Sequence, residues 1–134
     1  RSCYDVAVTV PILNFAGVKQ QYAKNHSEDD WNILLQAIQE ISPQYLHTAM
    51  EVGQGIYYYA YNMFIAKREF IDAYCNWLFP ILEYCEQKIG DKQDPYQNRY
   101  IGFLAERMLT IFLNYHKDDY EVCIVDKHFV ETEN

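Results

Sequence analysis

The sequence predicts an α/β fold in which helices predominate over a few strands. Three observations carry the prediction. Short β-branched or aromatic runs with a two-residue period occur near both ends and once in the middle. Between them lie longer stretches with apolar residues at helical spacing. Proline, glycine and serine punctuate the joints between the two kinds of pattern.

Taken in order, YDVAVTV from Tyr4 to Val10 puts Val6, Val8 and Val10 on one side and stops at Pro11, which cannot donate to a ladder, so it reads as a short strand running into the loop ILNFAG. Val18 to His26 is a weakly helical pattern. Ser27 reads as an N-cap, with Asp30 three residues on and acids in the first turn, and Trp31, Leu34, Leu35, Ile38 and Ile41 form one apolar stripe. Ser42-Pro43 ends that helix and starts another, which Gly53 and Gly55 terminate. Tyr57 to Ala66 alternates with both faces largely apolar, the pattern of an inner strand. Phe70 to Ile89 is a long helix ending at Gly90, with Pro80 expected to kink or break it near Asn76 to Phe79. Asp94-Pro95 marks a helix start, with the pattern running to about His116, and Tyr120 to Asp126 is a final strand.

At 134 residues the chain holds one domain or part of one, residues 1–134 forming a single partial domain. Arg1 is not preceded by methionine and a strand begins within a few residues, so a piece of a longer protein is expected. The net charge of -8, with basic residues scattered, argues against a nucleic-acid partner, which needs clustered cations to displace counterions. No apolar run approaches the ~20 residues of a membrane-spanning helix. The four cysteines Cys3, Cys75, Cys85 and Cys123 form no CxxC pair, which favours buried thiols in a reducing cytoplasm over zinc or disulfides. An apolar strand left at a sheet edge would invite self-association.

The candidate functional residues sit on the last long helix and around it. At 100° per residue, Arg99 and Glu106 fall ~20° apart, with Gly102 between them and Arg107 and Thr110 flanking the same edge. Glycine inside a helix costs ~1 kcal/mol relative to alanine, so close approach by a neighbouring element or a ligand is expected there. An ion pair of Glu106 with Arg99 or Arg107, closing on a neighbouring helix, accounts for the same pattern without any ligand. Asn62 stands among aromatic positions of the middle strand, where a buried amide serves either loop backbone or a sugar hydroxyl. The 13 tyrosines suit both a core and stacking on sugar faces. Tyr22 and His26, at i and i+4, share a helix face near Asp29 and Asp30. No Ser-His-Asp set, phosphate-binding glycine loop or His-x-x-x-His pair is present.

Three blocks, QQYAKNHSEDDWNILLQAIQEISPQYL, YNMFIAKREFIDAYCNWLFPIL and DPYQNRYIGFLAERMLTIFL, resemble in order the C-terminal half of a bacterial domain family first catalogued as of unknown function and found in capsular and exopolysaccharide glycosyltransferases. The resemblance implies a nucleotide-diphospho-sugar transferase of GT-A-like fold, with this chain as its acceptor-side half, inactive alone. It further implies a nucleotide-sugar donor, a saccharide acceptor, and cytoplasmic placement compatible with peripheral attachment at the inner membrane face. Carried onto this sequence, it puts Asn62 at a strand end lining the cleft, turns Arg99, Gly102, Glu106 and Arg107 toward it, and matches Tyr22 and His26 to a Tyr-x-x-x-His helix, so these residues are expected in substrate binding. On the shared helix face, Glu106 is our expected catalytic base. The family's upstream His-Tyr-Arg-Arg-Tyr run and any Asp-x-Asp strand end are absent here. No cofactor is therefore expected within this piece, while Mn or Mg would belong to the full-length enzyme. A noncatalytic helical interaction or carbohydrate-binding module is the competing reading.

Overall fold

A computed structural model describes residues 4–9, 11–13, 15–59 and 64–125. Strands β1 (Val6–Thr9), β4 (Phe64–Ala66) and β5 (Val122–Val125) form one sheet in the order β4-β1-β5, and β2 (Ile12–Leu13) and β3 (Tyr57–Tyr58) form a second, two-stranded one. Among the described residues there are also five α-helices: α1 (Val18–Asn25), α2 (Glu28–Ile41), α3 (Leu46–Gln54), α4 (Arg68–Ile89) and α5 (Tyr100–Tyr115). The mixture is predominantly helical, as the sequence predicts.

The inner strand is β1. It runs antiparallel to β4, with Ala7 opposite Ile65, and parallel to β5, with Ala7 opposite Cys123. Val6, Ala7 and Val8 are all buried, so both faces of β1 are covered. The expected inner strand from Tyr57 to Ala66 is instead divided between the two sheets: Tyr58 pairs with Ile12, whereas Phe64 to Ala66 pair with β1 at an outer position. The division has a local cause, because the backbone N–H of Tyr59 donates to Thr110 Oγ1 (2.7 Å) and is lost to any ladder. Ile65, Val122 and Ile124 on the two outer strands are exposed.

Helix boundaries follow their caps. Ser27 Oγ accepts from Asp30 N at 3.3 Å and Glu28, Asp29 and Asp30 fill the first turn of α2, as expected of a serine cap at a positive helix end. Gly90 ends α4 with φ 72°, a conformation costly to any side chain. Pro80 does not break α4, which is continuous through it. Both Pro80 and Asn76 lie on the exposed side, so the carbonyl that proline leaves without a donor can be met by water. The start of α5 falls later than Asp94-Pro95 predicts. Asn98 N donates to Asp94 O (2.8 Å) and Asn98 Oδ1 accepts from Lys92 N (2.7 Å), which winds Gln97–Arg99 into a tight 3₁₀ turn and delays the helix to Tyr100. Gly53 is buried inside α3, and a Cβ there would lie 3.1 Å from Trp31 Cζ2, so the glycine lets α3 sit against the indole.

The core lies between α5 and the layer of α2, α3 and α4. Phe112 is its hub, with ring centroids 5.2 Å from Tyr74, 5.4 Å from Trp77 and 5.5 Å from Phe70. Of the cysteines, only Cys85 is buried; Cys75 and Cys123 are half-buried, against the expectation that all are interior, and Cys3 lies outside the described residues. No described helix is long and apolar enough to cross a membrane.

Burial also sets an alkaline limit on stability. It pushes the Tyr45 phenol from its usual 10 up to about 12 and the Cys85 thiol from 9 up to about 12. Both folded values exceed the unfolded ones, so the folded chain holds protons that the unfolded chain releases, and stability is full below the unfolded values and lost as pH rises through the folded ones. The urea midpoint is therefore expected to be flat from neutrality to about pH 8.5 and to fall between about pH 9 and pH 12. A midpoint unchanged across that alkaline interval would contradict the assignment.

Candidate functional site

The first two turns of α5 and the end of α1 meet around Phe103. Its ring stacks on His26 at 4.0 Å and lies 5.1 Å from Tyr96, and the Arg99 guanidinium carbon sits 5.8 Å from the ring centroid. Arg99 stands at the N-cap position of α5, with φ -88° and ψ 20°, because of the 3₁₀ turn that precedes it. Its exposed side chain is thus laid over Phe103, where cation–π attraction and a large apolar face both favour it.

Two turns further on, Arg107 is 1% exposed and Glu106 is 42% exposed. Residues i and i+1 on a helix do not normally face each other. Here Arg107 turns back along its own helix, so that Nη1 donates both to Phe103 O (3.0 Å) and to Glu106 Oε1 (2.9 Å). Nη2 donates to Gln21 Oε1 of α1 at 2.7 Å. The guanidinium lies between two rings, 4.5 Å from the Tyr58 centroid and 5.1 Å from that of Tyr22. A buried charge held this way has its position fixed from three elements, and it fixes the Glu106 carboxylate in turn.

The structure brings five of the sequence-predicted residues together: Arg99, Glu106, Arg107, Tyr22 and His26. Gly102 lies in the turn between the first two. Asn62 lies outside the described residues. Two expectations about exposure need correction. Arg107 is sealed inside the molecule and meets the more exposed Glu106 carboxylate and the half-buried Gln21 amide. Tyr22 is fully buried, packed at 4.8 Å on His26 and 5.7 Å on Trp31, so it is not open to a ligand. The Asp30 carboxylate near them is held at 2.6 Å by Lys92.

Gly102 differs from expectation as well. Among the described residues, no atom lies within 4 Å of the position a Cβ would take, so no core ring or neighbouring helix fills the gap. The surface between Arg99 and Glu106 is open at its middle. The ion pair foreseen as the ligand-free explanation does form, between Glu106 and Arg107, but the packed neighbour that it required at Gly102 is not there.

Burial, with the Arg107 guanidinium adding to it, holds the His26 imidazole below its usual range. Burial, followed by the Asp30 carboxylate, raises the Tyr22 phenol far above its own. Both groups are therefore neutral near pH 7. Tyr22 Oη, His26 Nδ1 and Arg107 Nε are buried without a hydrogen-bond partner, which marks this joint as less than fully satisfied. Among the described residues, no three or more His, Cys, Asp or Glu side chains group together as metal ligands.

Sequence reasoning missed Phe103, Gln21 and Tyr58. Phe103 carries a signal in retrospect, being four residues from both Arg99 and Arg107 and so between them on one helix face. Gln21 and Tyr58 carry none, because their roles arise only when α1 and β3 dock on α5.

A comparison with curated proteins finds no match. Among solved structures, the WbbM bifunctional glycosyltransferase in its apo form is similar, with a TM-score of 0.84 and 20% sequence identity over 93% of this chain. The likeness is one of fold, and this chain spans 23% of the length of that one. The family described as Domain of unknown function (DUF4422) matches residues 2–118, and the chain belongs to it.

Proposed function

We propose that this chain is the acceptor-side part of a GT-A-like glycosyltransferase domain, residues 1–134 of a larger unit that moves a sugar from a nucleotide-diphospho-sugar to a saccharide. The observation that carries the reading is the open gap over Gly102, flanked by the exposed Arg99 and by a Glu106 carboxylate that the buried Arg107 holds in place. The similarity in fold to a bifunctional glycosyltransferase supports it.

In this reading an acceptor hydroxyl oxygen attacks the anomeric carbon of the donor sugar. The new C–O bond forms as the bond to the diphosphate breaks, and the hydroxyl proton passes to the Glu106 carboxylate. Arg99 offsets negative charge on acceptor or departing phosphate. Arg107 is a positioning residue, since its own side chain is buried and it acts on the open face through the Glu106 carboxylate it holds. Neutral His26 and the Phe103 ring form the apolar floor under Arg99. No step here passes through a divalent ion. Capsule, exopolysaccharide or O-antigen synthesis at the cytoplasmic side of the membrane is the setting we propose.

Two substitutions test the reading in the protein that carries this domain. Glu106→Gln keeps an acceptor oxygen for Arg107 but cannot take a proton, and is expected to lower sugar transfer by ~10²-fold or more at unchanged thermal stability. Gly102→Ala meets no neighbour and improves helix propensity, so it should raise stability by ~0.5–1 kcal/mol while impairing transfer by filling the gap. Undiminished turnover in Glu106→Gln removes the carboxylate from its role.

A further inference from the structure

The opposite end of α5 carries a concavity that the Arg99–Glu106 face does not use. A cavity of about 340 Å³ opens between the Tyr57–Tyr59 segment, the last turn of α5 and the approach to β5, lined by Tyr57, Tyr59, Asn114, Lys117, Tyr120 and Glu121 among others. Its volume lies at the lower end of the ~300–1,000 Å³ of small-ligand clefts.

The walls are held before any ligand arrives. Tyr57 Oη donates to Asn114 Oδ1 at 3.2 Å, and Asn114 Nδ2 donates to Thr110 O at 2.8 Å, which fixes both the amide and the tyrosine. Tyr59 N, donating to Thr110 Oγ1, anchors the next wall to the same turn of helix. The rings of Tyr57 and Tyr59 meet nearly edge to face, 5.5 Å apart at 75°, and so present two surfaces in different planes. Tyr120 is braced by Phe70 at 4.9 Å and His116 at 5.4 Å. At the mouth, Lys117 and Glu121 are exposed and contribute one charge of each sign.

Each feature narrows the occupant. Aromatic faces in two planes accept the C–H faces of sugar rings, and phenol hydroxyls, an amide, an ammonium and a carboxylate supply donors and acceptors to hydroxyl groups. A lining whose charges cancel, on a chain of net charge -8, offers no excess cation to a phosphate or a polyanion. Burial raises the Tyr59 and Tyr120 phenols above their usual range, so both hydroxyls remain available as donors.

We infer that this cavity binds a neutral oligosaccharide, as a subsite for a stretch of the acceptor away from its reacting end. The inference rests on the sugar-transfer reading of the Arg99–Glu106 face for the word acceptor, and on the cavity alone for the saccharide. From Glu106 to Asn114 is eight residues of helix, ~12 Å along its axis, the length of two or three sugar units. One chain of that length can thus reach from Glu106 to the cavity, and a multi-unit grip of this kind favours longer acceptors over short ones.

Isothermal titration of the protein with neutral tetrasaccharides, one each of α- and β-linked glucose, galactose and mannose, reads binding without requiring transfer. We expect saturable heat with at least one of them. The affinity should fall at least tenfold in Tyr57→Ala and in the doubly exposed Lys117→Ala/Glu121→Ala variant, whose thermal unfolding should match the wild type. Glu106→Gln should bind as the wild type does, while losing transfer. No heat with any tetrasaccharide, or heat unchanged by both cavity variants, overturns the subsite and leaves the transfer reading to its own assay. Preference for an acidic tetrasaccharide such as an oligogalacturonate overturns the assignment of a neutral ligand.

Discussion

Arg107→Ala is expected to destabilise the protein by about 3–5 kcal/mol, because it removes a buried charge whose partners cannot all turn to water. The side chain is 1% exposed and donates to three oxygens, Phe103 O, Glu106 Oε1 and Gln21 Oε1. Glu106 can be rehydrated, being 42% exposed, which argues for the lower end of the range. Gln21 is half-buried and can be rehydrated in part, whereas the space between the Tyr22 and Tyr58 rings has no such recourse. Arg107→Lys should recover only part of the loss, since an ammonium cannot serve the three oxygens with a planar fork or lie flat between two rings. Arg107→Met fills the space without the charge. Should Arg107→Met unfold at the wild-type urea midpoint while sugar transfer collapses, the guanidinium serves to place Glu106 and contributes little to folding. An Arg107→Ala midpoint within ~1 kcal/mol of wild type would contradict the buried clamp.

Phe112→Ala is expected to cost about as much, ~3–5 kcal/mol, by a different route. The ring is 1% exposed and stands among Phe70, Tyr74, Trp77 and His116, the last at 4.4 Å. Several of these neighbours are themselves anchored. Trp77 Nε1 donates to Ser42 Oγ at 3.0 Å, and His116 lies between Tyr45 Oη and Asp119 Oδ2, each at 2.7 Å. Side chains tied at their polar ends cannot swing in to fill a hole, so little of the cavity should close. Phe112→Leu keeps most of the volume and should cost less. Equal losses in the two variants would mean that the aromatic contacts, and not the filled space, set the effect.

The helices were legible in the sequence because each depends on neighbours within a few residues. The Ser27 cap, the Trp31, Leu34 and Ile38 part of the α2 stripe and the positive-φ Gly90 are local facts, and they hold in the structure, whereas Leu35 is half-buried and Ile41 at the end of the stripe is exposed. The strand from Tyr57 to Ala66 was not legible, because a two-residue period says nothing about which partner each half finds. Thr110, fifty-one residues away in sequence, takes the Tyr59 N–H and divides the run between two sheets. The start of α5 was missed for a related reason. An asparagine side chain, Asn98, competes with the proline signal by bonding Lys92 N, and nothing in the spacing announces that choice. At the candidate site, helical geometry foresaw that Arg99, Gly102 and Glu106 share a face. It did not foresee that Arg107 is swallowed by Gln21, Tyr22 and Tyr58, since burial of a charge depends on elements that dock from elsewhere.

The central strand β1 has Ala66 of β4 and Val122 of β5 as the two neighbours of Val6. Asp5 and Glu121 lie side by side, joined through Asp5 N donating to Glu121 O and Glu121 N donating to Asp5 Oδ2, each at 2.8 Å. During vectorial synthesis on a ribosome, β1 emerges more than a hundred residues before its parallel flank exists. Over that interval one of its sides is an unsatisfied template open to stray pairing, and the late zipping of β5 onto it is expected to be a slow step.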